Sequence, residues 1–208
     1  MHAFDKQMPV VSARRADIPD LAPLAAAATW DVPAAVWLVP DPEQRPRVLH
    51  AWYTILIEQA LRHGHVDMMI NRRAAAIWLD RTKPLPVPPH YLRRLTSTCG
   101  RHAAALLGYE QMLEQHRPRT AHLHLAVLAA ADRRSAAALL AHRHRVLDKT
   151  GIPAHATAAD AEQARVLTAA GYLPDSPFRL PGGPEIWPLQ RPPLATPGTV
   201  WARPRHLA

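Results

Sequence analysis

Between His122 and Gly171 the chain reads as two apolar runs, each followed by a helical stretch. The first run is HLHLAVLAA; a basic turn, ADRRS, separates it from AAALLAHRHRVLDKT. The second run is GIPAHATA, followed by ADAEQARVLTAAG. A short apolar run bounded by turn signals predicts a buried strand, and the longer alanine- and leucine-rich stretches predict helices. Strand, turn, helix and neighbouring strand in that order are the core of an α/β layer fold, so the rest of the chain has to build around this block.

Upstream, Val10–Arg15 is predicted as a short strand, and Asp17 as the N-cap of a helix over Ile18–Thr29. Trp30–Asp41 carries two prolines and two tryptophans and is expected to be a connecting segment that still buries aromatic surface. Over Pro42–His63, the residues Val48, Trp52, Leu56, Ile57, Ala60 and Leu61 recur at helical spacing on one face. Gly64 is read as the stop of that helix. His65–Ile70 and Ala74–Leu79 flank Asn71-Arg72-Arg73 as a hairpin. The four prolines of Lys83–Pro89 exclude regular structure, and Tyr91–His116 is predicted helical with breaks near Gly100 and Gly108.

Downstream, Gly171–Leu180 is predicted as a strand, Pro181–Pro184 as a turn and Glu185–Gln190 as the last strand. Residues 1–191 are expected to form one domain, with Met1–Gln7 a loose leader and 192–208 a tail that contains Trp201.

The 208 residues suffice for an ample core, and no apolar run is long enough to span a membrane. A single cysteine, Cys99, excludes an internal disulfide, and no signal-peptide pattern is visible, so a cytoplasmic protein is expected. Cys99 has no visible base partner. The net charge of +8 is spread through all segments without aromatic–basic interleaving or zinc-finger spacing. No nucleic-acid partner is therefore expected, nor a membrane.

The segments LHLAVLA, RRSAAALLAHRHRVLDKTGIPA, AAGY and RLPGGPEIWPLQRP resemble the central and C-terminal parts of GNAT-superfamily N-acetyltransferases, closest to a group common in high-GC bacteria. The resemblance covers about two thirds of the chain. It implies an α/β, GNAT-like fold: a mixed twisted sheet of about six to seven strands with helices on both faces, splayed between the fourth and fifth strands. It also implies acetyl-CoA, or another acyl-CoA, as cofactor and a small molecule as substrate; no metal is expected.

In that family a glycine-rich loop after the central strand holds the cofactor's diphosphate on backbone N–H groups, where any side chain would block close approach. The corresponding positions here run from Leu128 and Ala129 through Ala131 and Asp132 to Arg133, Arg134, Ser135 and Ala136. No glycine remains, and the connection is about four residues shorter than the family pattern. Gln163 stands where the family often has an asparagine on the cofactor arm. Leu167 replaces the tyrosine that protonates the departing thiolate, and Thr157 replaces a common glutamate.

His124 and His155, on what should be adjacent strands, are with Thr157 the candidate catalytic residues. His122, Trp187 and Glu185 are candidates for the substrate pocket, with Glu110 a further carboxylate of interest. Two imidazoles two residues apart on a strand can also converge on a metal, but no Asp, Glu or Cys accompanies them in sequence. His142 and His144, two apart on a helix, are expected at the surface. Three functions stay open. The first is a GNAT relative repurposed to bind or transform a small molecule in the cleft. The second is an acetyl-CoA-dependent N-acetyltransferase of a small amine with Arg133 and Arg134 at the diphosphate. The third is a non-catalytic pseudoenzyme acting through protein contact, for instance as a homodimer.

Overall fold

The computed structural model describes residues 9–194; the Met1–Gln7 leader and all of the 192–208 tail beyond Leu194, Trp201 included, lie outside the described residues. The strands are β1 (Val10–Ser12), β2 (Gly64–Met69), β3 (Ala74–Asp80), β4 (Leu123–Ala130), β5 (Ala154–Ala158), β6 (Leu173–Pro174), β7 (Phe178–Arg179) and β8 (Glu185–Arg191). The helices are α1 (Ile18–Ala28), α2 (Pro33–Leu38), α3 (Arg45–His63), α4 (Tyr91–Cys99), α5 (Ala103–Gln115), α6 (Arg133–Thr150) and α7 (Ala161–Ala169). The strands form one mixed sheet in the order β1-β2-β3-β4-β5-β8-β6, with β7 also on β8. Among the described residues, only the β4–β5 pairing is parallel. A parallel pair requires a crossover, and α6 supplies it.

Helices cover both faces. Leu21, Leu49, Ile57, Ile77, Leu95 and Leu106 join α1, α3, α4 and α5 to one face. Trp78, Leu139, Leu140, Leu167, Tyr172 and Leu189 join α6 and α7 to the other. The fold is the GNAT-like α/β architecture expected, with eight strands rather than six to seven. The difference arises in Gly171–Leu180, which is not one strand: Pro174 and Pro177 cannot donate to a ladder, and only the two-residue stretches β6 and β7 pair with β8.

Three other expectations are corrected. Trp30–Asp41 contains a helix, because Pro33 sits at a first-turn position where its missing N–H costs nothing. Gly108 does not interrupt α5; the single break in that region is a 3-10 turn at Gly100–His102. Asp17 flanks α1 without capping it. Its carboxylate instead accepts the Arg14 N–H at 2.8 Å and pairs with Arg72 at 2.8 Å, tying the β2–β3 turn to the start of α1.

Gly64 also differs in role. Its φ of 177° is extended backbone, and it opens β2 rather than turning left-handed after α3. What demands glycine is space, since a Cβ here would stand 2.0 Å from the carbonyl oxygen of Trp78. Gly64→Ala is expected to destabilise the fold by about 3 kcal/mol, because the obstacle is strand backbone of β3, which is held by β4 on its other side. Gly108→Ala, at an open helical site, should instead stabilise by about 1 kcal/mol. Denaturant titration of both variants tests the pair; a Gly64→Ala variant as stable as the parent refutes the steric account.

The feature that positions the site lies on β4. Ile77 pairs with Val127, yet Trp78 pairs with Leu125, so Ala126 is an extra residue, a β-bulge. Up to the bulge Leu123 and Leu125 face α6 and α7; beyond it Val127 and Ala129 face the opposite core. The β4–β5 register ends at the Leu125–Ala156 pair, and from Ala126 onward the two strands part. The parted strands open a passage through the sheet.

Candidate functional site: a cleft through the sheet

The passage is a cleft of about 1110 Å³. On one side of the sheet it is bounded by the first turns of α6 and α7. On the other it runs between α1, α2, α3 and α5 and the proline-rich Leu85–Pro88 loop. Residues of both parted strands, Ala126–Leu128 on β4 and Ala156 and Thr157 on β5, line it.

Of the residues singled out in the sequence, Leu128, Arg133, Ala136, His124, His155, Thr157 and Gln163 line the cleft. Thr157 sits one residue past the last β4–β5 pair, where the strands separate. Ala129 does not reach the cleft, since the bulge turns it into the core, where it is fully buried. Arg134 and Ser135 lie on the first turn of α6 without lining it. Trp187 and Glu185 are also displaced from the expected pocket. Trp187 packs with the α6–α7 core, while Glu185, at the start of β8, lies 3.9 Å from Arg179.

The helix N-terminus that would take a diphosphate is already occupied by the chain itself. Asp132 is the N-cap of α6: Oδ1 accepts the Ser135 N–H at 2.7 Å and Oδ2 its hydroxyl at 2.8 Å. Those hydrogen bonds hold the carboxyl below its ordinary pKa, so the site carries a fixed negative charge. The Arg133 guanidinium turns to Glu162 on α7, with Nε and Nη2 at 3.1 and 2.8 Å from Oε1. Asp160 caps α7 in the same way, and the Gln163 amide oxygen accepts the Ala159 N–H at 3.0 Å. Leu167 is buried and offers no proton. The residues present therefore do not fit the diphosphate of acetyl-CoA in the manner the family resemblance implies: the Ser135 N–H is taken, a carboxylate sits at the start of the helix and no glycine opens the loop.

At the closed end of the splay three imidazoles meet. His124 and His155 are register partners, and their Nδ1 atoms are 3.0 Å apart in a shared hydrogen bond. His122 stands with its ring centre 5.4 Å from that of His155 and its Nδ1 at 2.7 Å from the Thr120 carbonyl. Burial disfavours the charged form of all three, and the Arg81 and Arg117 guanidiniums add to this. His155 is pulled down to about 3, and His124 also falls well below its usual value. Both are neutral at pH 7, and the shared bond requires one to donate and the other to accept. Among the described residues no group of three or more His, Cys, Asp or Glu is placed to hold a metal ion.

Two clusters escaped the sequence reading because each is assembled from distant elements. Glu110 on α5 accepts from Trp52 Nε1 at 2.7 Å and from the Tyr91 hydroxyl at 2.5 Å, both on Oε1. Burial raises its pKa, partly offset by those two donors. One turn further along α5, Glu114 pairs with Arg81 at 3.3 Å and Arg117 at 2.6 Å. Glu110 stands out in the sequence as a carboxylate, but nothing in the sequence places Trp52 or Tyr91 beside it. His144 is likewise not at the surface; it is buried, with Nε2 3.2 Å from the Tyr172 hydroxyl. Cys99 is buried too, its thiol pKa raised by desolvation, which suits a packing role rather than a nucleophile.

No family model and no curated protein sequence matches the chain. Solved structures do. The chain is similar to a histone acetyltransferase HPA2 and related acetyltransferase from Corynebacterium glutamicum, with a TM-score of 0.68 and 22% identity over 93% of this chain and 99% of that one. Against polyamine N-acetyltransferase from Drosophila melanogaster the TM-score is 0.63, at 14% identity over 89% and 99% of the two chains. The C-terminal condensation domain of Ebony, solved with β-alanyl-dopamine, gives a TM-score of 0.53 at 14% identity over 89% and 98%. These likenesses show the fold to be that of the GNAT N-acetyltransferases, and a fold hosts many chemistries. Among the described residues no helix is long and apolar enough to cross a membrane.

Proposed function

We propose that this GNAT-fold chain is an enzyme that binds and transforms a small molecule in the through-sheet cleft, repurposed away from the usual anchoring of acetyl-CoA. The observation that carries the reading is the Asp132 carboxylate seated on the Ser135 N–H and hydroxyl while the splay behind it stays open. A scaffold kept only for protein contact has no need of an unfilled gap between β4 and β5, and an ordinary acetyltransferase has no use for a fixed negative charge at its diphosphate site.

Within this reading His124 and Thr157 meet the ligand from the two edges of the splay. His155 sets the tautomer and orientation of His124 through the Nδ1 bond. With its pKa pulled so low, His124 serves as a neutral hydrogen-bonding group; a base this weak holds little of a proton near neutrality. A functional N-acetyltransferase is the second reading, supported by the retained splay and by neighbours described as acetyltransferases of amines.

Calorimetric titration with acetyl-CoA and with free CoA decides between the two. It should be run at moderate salt so that non-specific attraction to a basic surface is screened. The expected result is no saturable one-to-one binding at micromolar concentrations. Asp132→Ala should then gain CoA affinity by about tenfold or more, since it removes a charge and frees the Ser135 N–H. Micromolar one-to-one binding by the parent protein overturns the repurposed reading and directs the search to amine acceptors.

A further inference from the structure

Beyond the splay, the cleft contains two charged features of opposite sign along one helix. Glu110 directs Oε1 to Trp52 and Tyr91, and Oε2 has no protein partner among the described residues. Because Glu110 lines the cleft, that oxygen is left for a ligand. The neutral donors on Oε1 do not neutralise the carboxylate, and Trp52, Tyr91 and Tyr109 present ring surface around it, a setting that favours an alkylammonium group.

At Glu114, four residues on and about 6 Å along the helix axis, the balance is reversed. Arg81 and Arg117 both line the cleft and share this one carboxylate, leaving one positive charge uncompensated. The Nε of each is buried without a protein partner. The adjacent His122, His124 and His155 are neutral and contribute nothing to the balance. Two guanidiniums facing a partly dry cleft with one carboxylate between them can accept a further anion, and arginine's planar fork suits a carboxylate.

We infer that the ligand of this cleft is bifunctional, carrying an ammonium group held by Glu110 with Trp52 and Tyr91, and a carboxylate held by Arg81 and Arg117. The class is an amino acid whose two charges are separated by several bonds, since the two features stand about one helical turn apart. This rests on the reading of the cleft as the ligand site, and it adds the recognition chemistry at its α5 side. A ligand with both charges gains from both features, whereas a simple amine leaves the arginine pair unsatisfied and a simple carboxylate leaves Glu110 unsatisfied.

The test uses the full chain and probes of defined length: glycine, 4-aminobutyrate and 6-aminohexanoate, with hexylamine and hexanoate as single-charge controls, titrated by calorimetry and by the NMR signals of His124 and His155. One of the longer amino acids should bind at least about tenfold more tightly than either control, the difference expected for one charge-assisted contact. Glu110→Gln should remove the advantage over hexanoate, and Arg117→Gln the advantage over hexylamine. The length comparison on the parent protein needs no variant, so it stands even where Arg117→Gln lowers stability. Hexylamine binding as tightly as every amino acid overturns the bifunctional ligand while leaving the cleft as the site. Failure of every probe to bind or to shift the histidine signals overturns the cleft reading itself.

Discussion

Asp67→Ala is expected to destabilise the protein by about 3–5 kcal/mol, a large share of the total stability of an ordinary domain. Asp67 is fully buried on β2, and its carboxylate takes Arg143 of α6 in a two-pronged bond, Nε at 2.9 Å and Nη2 at 2.5 Å. Arg143 is itself buried, so removing the aspartate leaves a guanidinium charge with neither water nor counterion. His142, whose Nε2 lies 4.0 Å from Asp67 Oδ1, offers Arg143 nothing once the carboxylate is gone. Arg143→Met alone should cost a similar amount, because it strands the carboxylate. The double variant Asp67→Leu with Arg143→Met should recover most of the loss, since an apolar pair of similar volume removes both desolvation penalties. Urea titration of the three variants measures this. Single variants that lose less than ~1 kcal/mol would show that water reaches the pair.

Acidification is expected to unfold the chain earlier than its carboxylates alone dictate. His144, buried against Tyr172 and Trp78, is pulled from 6.5 to about 4 by burial, with Arg191 adding to the effect. His155 falls to about 3, and His65, His122 and His124 are also lowered, all chiefly by desolvation. Between about 6.5 and the folded values the unfolded chain binds protons that the folded chain refuses. Stability is therefore intact above pH 6.5 and declines as pH falls towards 4. At roughly 1.4 kcal/mol per pH unit, His144 alone accounts for about 2 kcal/mol of the loss by pH 5. Asp17, Glu58 and Asp148, whose pKa values are lowered by Arg14 and Arg72, Arg94 and Arg191 respectively, add their losses only below the ordinary carboxylate range. Comparing unfolding free energies at pH 7.5 and 5.0 for the parent and for His144→Gln, which keeps a hydrogen-bonding group but cannot titrate, isolates the term. Identical pH dependence in the two proteins would refute it.

Most of the order of elements from Val10 to Arg191 was legible because it rests on local signals: strand runs of the right length, helical spacing on one face of α3, and proline clusters where no ladder can form. Local signals fail where the deciding contact is remote. Gly64 reads as a helix stop until Trp78 is seen across the ladder, and Pro33 reads as a breaker until it is seen to start α2. Gly171–Leu180 is apolar enough for one strand, yet its prolines let only two short pieces pair. For the candidate cleft, the sequence singled out the glycine-free loop and the two histidines that meet at the splay. It could not show the Ala126 bulge, which depends on the register between two strands about fifty residues apart. That bulge turns Ala129 into the core and opens the gap beyond Leu125.

By itself the sequence determined the central strand-helix-strand-helix block, the glycine-free turn at Asp132 and the apolar side chain at Leu167, because these follow from residue type and local spacing. Tertiary structure decided that Asp132 closes its own helix terminus. It also decided that Glu110 finds Trp52 and Tyr91, and that Arg81 and Arg117 share a single carboxylate. The reason is that charge, tautomer and free valence depend on which groups lie within about 3 Å of each other in a dry environment, and that proximity is produced by the fold, not by adjacency along the chain.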